Sequence, residues 1–339
     1  MPSNALRWTR RQLIATGSGL AASALLTRGV LASEQATATP GASPATVSYP
    51  LTISHANGET TLEQQPQRIV ALEWSLVENV LALGVQPVGI ADVEGYKTWV
   101  NVPLELSGEV EDVGQRLEPS LESIAALEPD LILTSQGRHE SIYDALKKIA
   151  PTVMIPADVI GDDIPPIQAT FDNFTLIAQA LGYPDVAEEV IAEVEHTIAD
   201  GAAQIAESGR SGEPFVVVQA FTAENQPTMR IFSNEGQIAQ TITELGLENA
   251  WSGTGKSSGF DTVGVEALVE VADANFFYLV QDDDNIFADQ LAEDPIWNSL
   301  TFVQEDRAYA LGGDTWTFGG PRSLEVIVER TLAAFLGDA

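Results

Sequence analysis

The sequence has no cysteine, three histidines, and only 16 lysines and arginines against 49 aspartates and glutamates. The missing cysteine excludes disulfides, thiolate metal sites, cysteine nucleophiles and a lipid-modified cysteine anchor. Scarce cations, at a net charge of −33, exclude nucleic acid as a partner, because neutralising phosphates needs clustered lysine and arginine. His55, His139 and His196 fall in different segments, and none has a His or Glu partner at two- or four-residue spacing that makes a convincing zinc pair. No glycine-flanked serine elbow is present, and no Ser–His–Asp grouping stands out, so the chain reads as a protein without catalytic apparatus. Two near-motifs fail on context. "AWSGTGKS" (250–257) has Ala250 in place of the first glycine of a phosphate loop and lacks the preceding strand. "DDDN" (282–285) lacks the glycine and distal glutamate of a calcium loop.

What is present is a globular composition, 45% apolar and 19% charged, on 339 residues, enough for two domains of ordinary size. The acidity itself reads as a solvated surface. The segment "RWTRRQLIATGSGLAASALL" places Thr9-Arg10-Arg11 before an apolar, small-residue stretch. That is the layout of a twin-arginine export signal over residues 1–33, with a cleavage site near Leu31-Ala32-Ser33. The expected location is therefore the periplasm or the outer face of the cytoplasmic membrane, with the segment either removed or kept as a tether. Residues 34–50, rich in Ala, Thr and Pro, read as a flexible linker.

From residue 51 onward, short apolar runs alternate with segments of helical period. "LTISHANGETTLEQ" (51–64) reads as a hairpin turning at Asn57-Gly58. "RIVAL" (68–72), "PVGIA" (87–91), "DLILT" (130–134) and "TVMIP" (152–156) read as buried strands, with helices at 75–84, 120–128 and 139–150 between them. Residues 166–208 are helical throughout except around Gly182-Tyr183-Pro184. Alternation then resumes with "FVVVQAF" (215–221), "MRIF" (229–232) and "NFFYLV" (275–280), and a helix over 323–337 follows. The expected fold is α/β: two Rossmann-like lobes with mostly parallel sheets, at 51–165 and 209–339, joined by the helical segment 166–208, with a ligand cleft between them. Two matches support similar lobes. "RIVALEWSLVENVLALG" (68–84) parallels "RIFSNEGQIAQTITELG" (230–246), and the segment before "DLILT" parallels the one before "NFFYLV".

Ligands of open α/β sheets bind outside the carboxyl ends of the strands. The loops expected there carry Tyr96 and Trp99 (92–103), Arg116 in "GQRLEP", Arg138 in "SQGRHE", Phe260 in "SGTGKSSGFDT" and Trp316 in "GGDTWTFGGP". Aromatics with a few cations suit a large, partly apolar, oxygen-rich ligand. Composition alone leaves equally open that Trp99 and Trp316 are packing residues and Arg116 a surface ion pair.

Three segments together resemble the ferric-hydroxamate-siderophore-binding proteins, the substrate-binding components of ABC importers. They are "RIVALEWSLVENVLALGVQPVGIADVEGYKTWV", "DVGQRLEPSLESIAALEPDLIL" and "DTWTFGGPRSLEV", and the likeness spans roughly residues 66–338. The resemblance implies a rigid linking helix with little hinge closure, a ferric siderophore as ligand, and a permease in the cytoplasmic membrane as partner of a monomeric binding protein. It implies no cofactor and no metal ligand from the protein, since iron is held by siderophore oxygens. Arg116 matches the arginine that bonds the iron-bound hydroxamate oxygens, and Trp99, Phe260 and Trp316 match aromatic wall positions. The family's pocket tyrosine falls where this chain has Gly137 and Arg138, a departure that points to a more anionic complex of citrate or carboxylate type. Glu78 matches the N-lobe carboxylate that docks on the permease. The C-lobe match falls at Gln240, which leaves Glu235 as substitute. The alternatives are a corrinoid or haem in the same fold, the latter with Tyr96 or His139 as axial ligand, and a secreted hydrolase.

Overall fold

The chain begins its described course at Val47. The computed structural model describes residues 47–156, 164–253, 255 and 258–337, so the expected export signal and most of the expected linker lie outside the described residues. A hairpin comes first, β1 (Leu51–His55) and β2 (Gly58–Leu62), with His55 opposite Gly58. The loop is thus Ala56-Asn57, one residue earlier than the expected turn. Gly58 takes φ +115°, a conformation that favours glycine.

The N-terminal lobe then alternates β3 (Ile69–Ala71), α1 (Trp74–Ala82), β4 (Gly89–Ile90), α2 (Val93–Trp99), β5 (Glu111–Asp112), α3 (Leu121–Ala126), β6 (Leu131–Ser135), α4 (Tyr143–Leu146) and β7 (Thr152–Ile155). Its five strands lie in the order β5-β4-β3-β6-β7, every pairing parallel. Parallel strands flanked by crossover helices are covered on both faces, which is why the central ones read as unbroken apolar runs. Ile69, Val70, Ala71, Leu131, Ile132 and Leu133 are all fully buried.

The helical segment is two helices, α5 (Pro166–Leu181) and α6 (Pro184–Glu207). Proline opens each in the first turn, where its missing N–H costs no bond. Gly182, at φ +83°, closes α5, so the break falls where the sequence placed it.

The C-terminal lobe runs β8 (Pro214–Ala223), β9 (Gln226–Phe232), α7 (Gln237–Glu244), β10 (Glu248–Asn249), β11 (Phe260–Val263), β12 (Asn275–Leu279), α8 (Thr301–Gln304), β13 (Ala308–Ala310) and α9 (Pro321–Leu336). The sheet order is β11-β9-β8-β12-β13, with β10 also on β8. Strands β8, β10, β12 and β13 pair in parallel, whereas β9 runs antiparallel to both β8 and β11. The two internal matches therefore differ in meaning. The segments before β6 and β12 both feed a central parallel strand. β3 is parallel to its neighbours while its sequence counterpart β9 is half of a hairpin, so that first match is not a topological repeat.

The lobes meet along α1, α5 and α9. Glu78 of α1 is fully buried, and its carboxylate accepts from the backbone N–H (2.8 Å) and the hydroxyl (2.6 Å) of Ser323 at the start of α9. Gly319 and Gly320 permit this approach: a Cβ on Gly320 would lie 2.1 Å from Asn79 Oδ1, and one on Gly319 2.7 Å from Glu78 Oε2.

Candidate functional site

Each parallel strand of the N-lobe delivers a functional side chain just past its carboxyl end. After β3 come Glu73 and Trp74, after β5 the loop bearing Arg116, and after β6 the loop bearing Arg138. The Arg116 loop is tight. Gly114 has φ +100°, pairs with Pro119, and accepts no Cβ comfortably because Ser120 N lies 3.2 Å from where it would be. Opposite, β8 and β9 of the C-lobe bring Gln219 and Arg230 side by side as cross-strand partners, with Phe221 two residues along. Trp316 reaches in from the loop after β13.

These residues enclose an open cleft of about 230 Å³, lined by Trp74, Trp99, Arg116, Gln219, Phe221, Arg230 and Trp316. Three indoles, a phenyl ring, two guanidiniums and an amide face one space. The Arg116 guanidinium lies 3.9 Å from the ring centre of Trp74 and 5.5 Å from that of Trp316, and the two indoles meet edge to face at 4.9 Å. Its Nε and Nη2 donate to Glu73 Oε2 at 3.0 and 2.6 Å, while Arg138 Nε pairs with Glu73 Oε1 at 2.8 Å. Glu73 is thus a buried hinge pin between two arginines. It fixes the Arg116 plane, and the stacked rings exclude water from one of its faces, which strengthens what the remaining donors can do.

His139 supports the same loop from beneath. It has no exposed surface, and its Nε2 lies 2.7 Å from the Arg116 carbonyl while Nδ1 lies 3.4 Å from Ser135 N. A carbonyl only accepts, so Nε2 carries the hydrogen and Nδ1 accepts. Burial pushes the imidazole below its ordinary value, assisted by Arg138 and Arg116 and opposed by the Arg116 carbonyl and Glu73.

Of the residues singled out in the sequence, the structure brings Arg116, Trp99 and Trp316 to the cleft. Arg138 stands behind them on Glu73. Phe260 does not line the cavity; it packs with Phe232 and Phe318 and lies 4.8 Å from the Arg230 guanidinium, backing that residue. Tyr96 must be corrected: it is only 3% exposed, and burial together with the nearby Glu78 carboxylate raises its phenol, so it belongs to the N-lobe core and not to the ligand surface. With Tyr96 and His139 both buried, neither can ligate a haem iron in the cleft.

Glu78 is a second correction. A carboxylate with no exposed surface cannot meet a permease; it caps α9, and burial raises its pKa against the lowering effect of its hydrogen bonds. Gln240 is likewise spent on a cap, its Oε1 accepting from Ile167 N at the start of α5. Glu235 is half-exposed and lies away from the cleft, beside Pro166, Thr170 and Phe318. Residues not foreseen are Glu73, Trp74, Gln219, Phe221 and Arg230.

Two α/β lobes around a cleft walled by aromatics and arginines have the form of a solute-binding protein. The chain belongs to the periplasmic binding protein family Peripla_BP_2, whose pattern matches residues 69–315. It is 31% identical over 281 residues to the Fe(3+)-citrate-binding protein YfmC of Bacillus subtilis, covering 83% of this chain and 84% of that one. It is 29% identical over 258 residues to the iron(3+)-hydroxamate-binding protein FhuD of Escherichia coli, covering 76% and 83%. Among solved structures, the Fe3+–Desferal-bound siderophore-binding protein FhuD of Vibrio cholerae superposes with a TM-score of 0.72 at 27% identity, over 80% of this chain and 98% of that one. The family is of substrate-binding type, not an enzyme family.

Proposed function

We propose that this protein captures a ferric siderophore outside the cytoplasm and hands it to an ABC permease for iron uptake, as a monomer without cofactor or chemistry of its own. The observation that carries the reading is Arg116, pinned by Glu73, lying over Trp74 and beside Trp316 in the lining of an open cleft of about 230 Å³. A guanidinium held in this way offers rigid donors to oxygens that carry partial negative charge, as iron-bound oxygens do. Relatives named for ferric citrate and ferric hydroxamate support the same ligand class. The lobes we assign are 51–165 and 209–339 around the linking segment 166–208, and the N-terminal residues serve as twin-arginine export signal. Of the two carboxylates to which the family resemblance pointed for permease docking, only Glu235 has exposed surface in the structure, and we assign it that contact.

Because Trp74, Trp99 and Trp316 all line the cleft, intrinsic fluorescence reports occupancy directly. Titration with ferric hydroxamate, citrate and catecholate complexes should give saturable quenching by at least one class. Arg116→Ala should weaken that binding at least about tenfold, the worth of one charge-assisted hydrogen bond. Absence of quenching by every complex would refute siderophore capture.

A further inference from the structure

We propose that the cleft selects ferric complexes of net negative charge and that Arg230 is the residue that reads the charge, by pairing with a carboxylate left free of the metal; this rests on the siderophore reading above. In a chain with 49 acidic residues, the other described arginines have found their partners. Arg116, Arg138, Arg210, Arg307, Arg322 and Arg330 each hold a carboxylate, and Arg68 lies exposed on main-chain carbonyls. Arg230 has none among the described residues, although it is half-buried and lines the cleft. Among the described residues its one hydrogen bond runs from Nη1 to Gln219 Oε1 at 3.2 Å, and its guanidinium lies 5.0 Å from the Phe221 ring and 4.8 Å from the Phe260 ring. A guanidinium carries five N–H donors, so most of its donor capacity meets no acceptor among the described residues.

Burying such a charge is costly unless it is paired, and desolvation lowers the Arg230 pKa. Glu73, the carboxylate behind Arg116, already has an arginine on each oxygen. Among the described residues the cleft lining carries two arginines and no carboxylate, on a molecule of net charge −33. A ferric complex without net negative charge could satisfy Arg116 through its metal-bound oxygens, but it would seal Arg230 away from water still unpaired. A complex that projects an uncoordinated carboxylate neutralises it with a fork-to-fork pair. The second arginine that the sequence pointed to, Arg138, is not the charge reader, because Glu73 occupies it.

The test compares Fe(III)–dicitrate, which is anionic, with Fe(III)–Desferal, which is not, on the wild type, Arg230→Gln and Arg230→Lys, by calorimetry or tryptophan quenching. The wild type should hold the dicitrate complex at least tenfold more tightly. Arg230→Gln, which can keep the contact with Gln219, should lower dicitrate affinity by a far larger factor than Desferal-complex affinity and so abolish the preference, and Arg230→Lys should retain part of it. Equal affinity, a preference for the Desferal complex, or an equal loss for both complexes in Arg230→Gln would overturn the charge inference while leaving siderophore capture standing. Binding of neither complex, nor of a catecholate control, would overturn both.

Discussion

The imidazole of His139 works as a neutral donor–acceptor bridge, and that makes the Arg116 loop sensitive to acid. Protonation would place a hydrogen on Nδ1 facing the Ser135 N–H and add a cation beside Arg116 and Arg138, answered only by Glu73. Its folded pKa is lowered from 6.5, so the unfolded chain binds the proton more readily. Its contribution to stability is therefore present above about pH 6.5 and is lost as pH falls through the folded value. His55, also lowered by burial and by Lys147, acts in the same direction. Urea midpoints measured at pH 7, 6 and 5 should fall for the wild type and fall less for His139→Gln, whose amide can still donate to the Arg116 carbonyl. An unchanged slope in the variant would show that the bridge does not titrate. At this scale the sequence was legible where cleft residues sit on loops or at a helix end, as with Arg116, Trp316 and Trp99. It was not legible where they sit inside apolar runs. Trp74 begins a buried helix, and Gln219, Phe221 and Arg230 belong to strands whose pattern looks like core. The one signal was a lone arginine in "TMRIF", an ion within a strand that has no nearby acid in sequence.

Between elements, the seam of the two lobes is made by side chains that cap helices across it. Glu78 of α1 caps α9, and Gln240 of α7 caps α5, so each helix N-terminus gains an acceptor it lacks locally. The "FGGP" stretch that marked the resemblance has a steric cause here, since its two glycines leave room for Glu78 and Asn79. Glu78→Ala should cost about 1–3 kcal/mol, the penalty of leaving buried donors without an acceptor. Glu78→Gln should cost less, because its oxygen still accepts from Ser323. The folded carboxyl is raised above 4.5, so it holds a proton that the unfolded chain has released, and its contribution declines as pH rises from 4.5 through the raised value. The glutamine variant should lose that decline in denaturant titrations, and a glutamine variant with the wild-type profile would mean that Glu78 is already ionised in the fold. The strands and most helices could be read from apolar runs and helical period, because burial dictates both. Strand direction could not. A βα pattern looks the same whether its strand pairs in parallel, as β3 does, or turns back in a hairpin, as β9 does.

Over the whole molecule two opposed fields act on an anionic ligand. The net charge of −33 repels it at long range, while the cleft, with Arg116, Arg138 and Arg230 against Glu73, attracts it at short range. Screening separates them, since the Debye length is about 30 Å at 0.01 M salt, about 8 Å at 0.15 M and about 3 Å at 1 M. At low salt the repulsion reaches an approaching complex from most of the surface. Near 0.15 M the charges within about 8 Å of its path dominate, and in the cleft lining those are Arg116 and Arg230. Beyond that the arginines are screened as well. The association rate of Fe(III)–dicitrate, followed by stopped-flow tryptophan quenching, should therefore rise from 10 mM to about 150 mM NaCl and fall again toward 1 M. A complex without negative charge should show no such maximum. A rate for dicitrate that falls steadily from the lowest salt would mean that the cleft arginines govern the approach from the start, and that the acidic surface lies too far from the ligand's path to oppose it.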